Sequence, residues 1–148
     1  MKRAIIATAF VLLGFVFPGI ANAETVPGCA SAAQIGSTGY VKYRGDKIAS
    51  VKQFAGCGHN YGYVYTWESF RAAQAAEGRG WSLQVGVLTY SSASDSEPNA
   101  IKGGNSTQYS LKELWGKPAN TLNVCTTGYG MVSIQMGDNY TAESSKRC

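Results

Sequence analysis

Tyr61, Tyr63, Tyr65 and Trp67, at alternate positions in the stretch NYGYVYTW (60–67), are the densest group of side chains with chemistry to offer. Aromatic ring faces stack on flat apolar surfaces, and the C–H faces of sugars suit them, with Asn60 or Gln53 near in sequence to bond the hydroxyls. In a strand, successive side chains point to opposite faces, so the four rings form a row along one face of a sheet. The same row also serves as core, since aromatic residues favour strands without any ligand. Gly62, Val64 and Thr66, on the other parity, have little volume to fill a core. Packing therefore turns the rings inward. Each buried phenol then needs a hydrogen-bond partner, because an orphaned polar group costs about 1–3 kcal/mol. Rings inside with hydroxyls near the rim satisfy both demands.

Other reactive types are thinly spread. His59 is the only histidine, two residues from Cys57, but a metal site there would need further ligands, and none stands at a recognisable spacing. Joined with Asp46, Asp95 or Asp138 and a serine, His59 would serve as a base, yet no G-x-S-x-G elbow supplies the nucleophile. Glu68, Glu77, Asp95, Glu97, Glu113 and Asp138 offer carboxylate pairs for glycoside hydrolysis. Isolated surface carboxylates are the ordinary alternative for each. Arg44-Gly45-Asp46 matches a tripeptide of some adhesion ligands, and a hairpin turn accounts equally for its Gly and Asp. Asn105-Ser106-Thr107 and Asn139-Tyr140-Thr141 fit the N-glycosylation pattern, which matters only in a eukaryotic secretory pathway. No cofactor motif is present.

These groups must be positioned by short strands. Tyr40–Arg44 and Ile48–Phe54 read as a hairpin about Gly45-Asp46, and the loop 55–59 then feeds the aromatic strand, giving a meander. The stretch 68–77, ESFRAAQAAE, is alanine-rich with Gly78 behind it, and predicts one short helix. Its inward face is expected to carry Phe70, Ala73 and Ala76, with Arg71 and Gln74 toward water. Trp81, Leu83, Val85 and Val87 alternate with polar or small residues, so 81–90 is a strand with that face in the core.

Residues 91–105 are small or polar, with Pro98 and a Gly pair, and read as a long connection that is mobile, functional or a tolerated insertion. Residues 106–111 fit either a strand or an irregular lead into 112–115. Thr121–Cys125 and Tyr129–Met136 are expected as two strands joined through 126–128, the second with Val132, Ile134 and Met136 inward; 137–139 reads as a turn. Residues 24–38 read as an N-terminal arm tied down through Cys29.

The expected fold is mainly β: a small disulfide-stapled antiparallel sandwich or barrel of about six or seven strands with one short helix. An open antiparallel sheet carrying the helix is the alternative.

Lys2 and Arg3, an apolar run from Ala4 to Phe17, then Pro18, Gly19 and Ala21-Asn22-Ala23 predict an export signal cleaved after Ala23. At about 14 residues the run is shorter than the roughly 20 of a membrane-crossing helix. A lipoprotein site at Val26–Cys29 is the competing reading, but lipidation of Cys29 would leave an odd number of cysteines. The remaining 24–148 form one secreted domain. Its four cysteines, Cys29, Cys57, Cys125 and Cys148, predict two disulfides in an oxidising compartment. All three pairings are open, and neighbour pairing closes the shorter loops.

The formal charge falls from +4 to +2 without Lys2 and Arg3, and the other cations are scattered, which argues against nucleic acid as partner. The expected function is a secreted, non-enzymatic binding or interaction domain for extracellular polysaccharide or a cell surface. Tyr61, Tyr63, Tyr65 and Trp67 are its candidate ligand residues. The alternatives are an inhibitor or toxin-like protein presenting 91–105 to a protein partner, and a small hydrolase.

Overall fold

The computed structural model describes residues 23–134 and 137–148. The expected export segment lies outside the described residues except for Ala23, and so does Met136.

One sheet has the order β1-β2-β3-β4-β7, built from β1 (Ala23–Val26), β2 (Cys29–Tyr43), β3 (Asp46–Gly56), β4 (His59–Thr66) and β7 (Glu113–Trp115). The other has the order β6-β5-β8-β9, from β6 (Ala100–Thr107), β5 (Trp81–Tyr90), β8 (Cys125–Ile134) and β9 (Asp138–Glu143). Every pairing is antiparallel. The two sheets face each other, with β4 against β5 and β8. Backbone contacts close both flanks. Ser145 N–H donates to the Ser37 carbonyl at 3.0 Å on one side, and Lys117 N–H donates to the Gly103 carbonyl at 2.8 Å on the other. The result is a sandwich closed nearly into a barrel.

The main core lies between the sheets, where Val41, Val51, Val64, Val85 and Val132 have no exposed surface. A second, smaller core lies on the outer side of the first sheet. There Val26, Cys29 and Ala32 pack with Phe54, Tyr61 and Tyr63.

Several sequence-based expectations are corrected. Described strands number nine rather than six or seven. The arm 24–38 is structured: it forms β1 and the first two-thirds of β2, which cover the outer aromatic side chains. Of the expected connection 91–105, only 91–99 is a loop. The rest belongs to β6, an edge strand with few apolar residues. Its Gly pair is a bulge: Gly103 and Gly104 stand opposite Gly86 alone, and Gly103 takes a φ of 58°. Residues 108–111 are irregular, and 113–115 pair with β4 as β7. Thr126, Thr127 and Gly128 are no connection but the buried interior of β8, paired with Thr89, Leu88 and Val87 of β5 in that order. Gly128 is there because a Cβ would come 2.6 Å from the Lys52 carbonyl oxygen across the sandwich. Asp138 and Asn139 open β9 instead of forming a turn.

The helix α1 (Glu68–Ala76) stands where expected, with Gly78 at a φ of 63° behind it. Its buried face is Phe70 and Gln74, while Ala73 and Ala76 are exposed. Residues four apart share a helix face, so once Phe70 packs edge-on to Trp81 at 5.5 Å, Gln74 is carried inward with it.

The disulfides join neighbours, Cys29 to Cys57 and Cys125 to Cys148, and leave no free cysteine among the described residues. Such bridges belong to an oxidising environment. Among the described residues no helix is long and apolar enough to cross a membrane.

Candidate functional site

Strand β4 is buried on both sides, and this divides its aromatic row. Val64 and Thr66, both at 0 % exposure, face the main core with Gly62. The small face fills that core because the sheets come close: a Cβ on Gly62 would lie 2.2 Å from the Gly86 carbonyl oxygen. The aromatic face points the other way, into the second core and past its end.

Tyr61 is 1 % exposed and Tyr63 is 9 % exposed. Tyr63 lies 4.3 Å from the Trp115 ring and edge-on to Phe54, and its hydroxyl donates to Glu113 Oε2 at 2.5 Å. Burial and the Glu113 carboxylate together push the Tyr63 phenol well above its ordinary pKa. Ring inside, hydroxyl at the rim is the arrangement that the cost of an unpaired phenol demands.

Tyr65 and Trp67 are half-buried and reach the surface. Arg71 and Lys112 stand over the Tyr65 ring at 5.5 and 5.3 Å. Trp67 donates from Nε1 to Ser50 Oγ at 3.3 Å, and its ring meets that of Tyr40 edge-on at 6.0 Å. Tyr40 is 40 % exposed and carries the Lys47 ammonium 4.0 Å above its ring. Gln53 and Asn60, expected to bond a sugar lying on the row, are buried on the opposite side of the sheet. They serve the interior, where Gln53 donates to Thr126 Oγ1 and Asn60 donates to Thr121.

Trp67 has a second neighbourhood. As the residue preceding α1 it forms one wall of a solvent-open groove of about 590 Å³ between the β2–β3 turn and the helix. Tyr43, Lys47, Phe70 and Gln74 line it with Trp67, and Arg44-Gly45-Asp46 forms its rim. The turn has Arg44 at φ 52° and Gly45 at φ 91°. Two left-handed residues in succession suit the right-handed twist of the strands they join.

Tyr40 and Gln74 escaped the sequence reading. The signal for Tyr40 was present, since it alternates with the buried Val41 as Tyr65 does with Val64. Nothing local marks Gln74.

The remaining candidates are dispersed. Cys57 is held in its disulfide, and His59 Nδ1 lies 2.9 Å from the Cys57 carbonyl. No group of three His, Cys, Asp or Glu among the described residues could hold a metal. Glu68, Glu77, Glu97, Glu113 and Asp138 are exposed. Glu77 is ion-paired with Arg79. Hydrogen bonds from Ser92 hold Asp95 below the usual carboxylate range, the reverse of what a general acid needs at neutral pH.

No protein-family model, curated protein or solved structure matches this chain.

Proposed function

We propose that this chain is a secreted, non-enzymatic binding domain that recognises polysaccharide of an extracellular polymer or cell surface. The observation that carries the reading is the edge-to-face pair of half-buried Trp67 and exposed Tyr40, at the end of an aromatic row whose first members, Tyr61 and Tyr63, are buried in the second core. Such a pair offers apolar faces for sugar rings, and Lys47 over Tyr40, with Arg71 and Lys112 over the Tyr65 ring, supply donors for hydroxyl or acidic groups. The ligand surface is thus Tyr40, Tyr65 and Trp67, with Tyr61 and Tyr63 supporting it from below.

The test is co-sedimentation of the exported protein with insoluble polysaccharides and cell walls. Wild type and Tyr61→Phe are expected in the pellet, and Tyr40→Ala and Trp67→Ala in the supernatant while still folded by circular dichroism. Equal retention of Tyr40→Ala and wild type would remove the pair from the function.

A second reading, an inhibitor or toxin-like protein acting on a protein partner, draws on the loop 91–99. Ser92 holds Asp95 through its N–H and hydroxyl, both at 2.8 Å, and Lys146 bonds the Asp95 carbonyl. A loop so tied loses little entropy on docking. Inhibition of a protease by wild type, abolished by Asp95→Ala, would favour it over polysaccharide.

A further inference from the structure

The groove beside Trp67 contains a hydrogen-bonding group that the fold does not use. Gln74 is 3 % exposed, and its Oε1 has no hydrogen-bond partner among the described residues. Gln53 Oε1 and Asn60 Oδ1 share that condition, but both belong to the interface between the sheets. Of the three, Gln74 is the one that lines a groove open to solvent. A buried carbonyl oxygen is an unfilled acceptor, and a ligand that brings a donor to it relieves the cost of its desolvation.

We infer that this groove is a subsite for one ring of a neutral, hydroxyl-bearing saccharide, with the Gln74 side-chain amide, whose Oε1 is itself buried, turning to present that oxygen to a ring hydroxyl. Three features of the groove select that ligand. Trp67 and Tyr43 give it aromatic walls for the C–H face of the ring. Its rim mixes both signs, Arg44 and Lys47 with Asp46, while Glu77 is already paired with Arg79, so no cluster of one sign marks it for an anion or a cation. Its volume, about 590 Å³, falls in the range of roughly 300–1,000 Å³ that small-molecule sites occupy.

Arg44 adds a further indication. It holds a left-handed backbone where Gly, Asn or Asp is the usual choice, and its guanidinium lies 4.9 Å from the centre of the Tyr43 ring at the mouth of the groove. Trp67 belongs both to this groove and to the outer pair with Tyr40, so a polymer resting on the pair has its next ring beside the helix. The subsite deepens the polysaccharide reading and rests on it.

The experiment uses the disulfide-bonded, ¹⁵N-labelled protein, titrated with the neutral tetrasaccharides of chitin, cellulose and β-1,3-glucan while its side-chain amide signals are followed. Polymer co-sedimentation runs in parallel. One tetrasaccharide is expected to shift the Gln74 amide pair saturably, and Gln74→Met is expected to weaken that binding at least tenfold. Ala73 is exposed and lines the groove, so Ala73→Trp plugs it without disturbing the core and gives the same loss should Gln74→Met fold poorly.

If Tyr40→Ala abolishes polymer retention while Gln74→Met and Ala73→Trp bind as wild type does, the subsite is overturned and the binding reading stands. A Gln74 shift with no polymer retained keeps the subsite and removes the outer pair from the function. No retention and no shift with any of the three tetrasaccharides overturns both.

Discussion

Replacing Gly62 by Ala adds one methyl group to the closest approach in the sandwich, and the cost should be far out of proportion to its size. The new Cβ would lie 2.2 Å from the Gly86 carbonyl oxygen, 2.8 Å from its carbon and 3.1 Å from its nitrogen. All three are backbone atoms of β5, so no side chain can rotate out of the way. Restoring ordinary contact requires β4 and β5 to part locally by roughly 1 Å. That opens the interface where Val51, Val64, Val85 and Val132 are fully buried. Overpacking of well-packed cores typically costs about 1–3 kcal/mol, and a clash with backbone in a central strand belongs at or above the upper end. We expect about 3 kcal/mol of destabilisation.

Urea unfolding monitored by tryptophan fluorescence, with disulfides intact, measures it as a lowered midpoint at unchanged slope. Gly104→Ala is the control, since nothing lies within 4 Å of its Cβ position and its φ is outside the left-handed region. It should stay within about 0.5 kcal/mol of wild type. A loss below about 1 kcal/mol for Gly62→Ala would refute the claim that glycine at this position sets the spacing of the sheets.

Removing Cys29–Cys57 or Cys125–Cys148 as an Ala pair should cost about 3–4 kcal/mol each by loop-closure entropy, given sequence separations of 28 and 23, read as a fall in melting temperature. A negligible loss for either would mean that the unfolded chain is already compact across that loop. Arg44→Gly, which accepts the left-handed backbone without strain, should leave stability unchanged or raise it by about 0.5–1 kcal/mol in the same urea assay, while a fall would show that the Arg44 side chain stabilises the turn. The Tyr63 phenol is raised by burial and by Glu113. Below pH about 10 the folded and unfolded chains both keep this proton, and above it the unfolded chain loses the proton first, so stability should fall as pH rises. Tyr63→Phe should flatten that alkaline limb of the stability curve, and an unchanged slope would contradict the assignment.

Whatever depends on neighbours along the chain could be read directly. Alternation over 60–67 and 81–90 marked β4 and β5, Gly45 marked the β2–β3 turn, and alanine followed by Gly78 marked the helix. Their period and turn chemistry are local properties of the backbone. The even cysteine count announced two bridges, though the choice of partners came from strand pairing, since the β2–β3 register brings Cys29 beside Cys57. Edge strands were illegible for a physical reason: β6 buries little, so no apolar pattern was required of it, and its Gly pair looked like a loop instead of a bulge. Residues 126–128 were misread because small residues inside a strand mark a close approach by another sheet, which local sequence does not contain.

The same limit governs the site. Trp67 could be named from its row, but which face of β4 is core was settled by glycines meeting across the sandwich, against the volume argument that local sequence supported. Tyr40 lies 27 residues before Trp67, and only the antiparallel pairing of β2, β3 and β4 sets their rings 6.0 Å apart. Gln74 became a groove residue only when Phe70 chose its partner, Trp81, and so fixed the rotation of the helix.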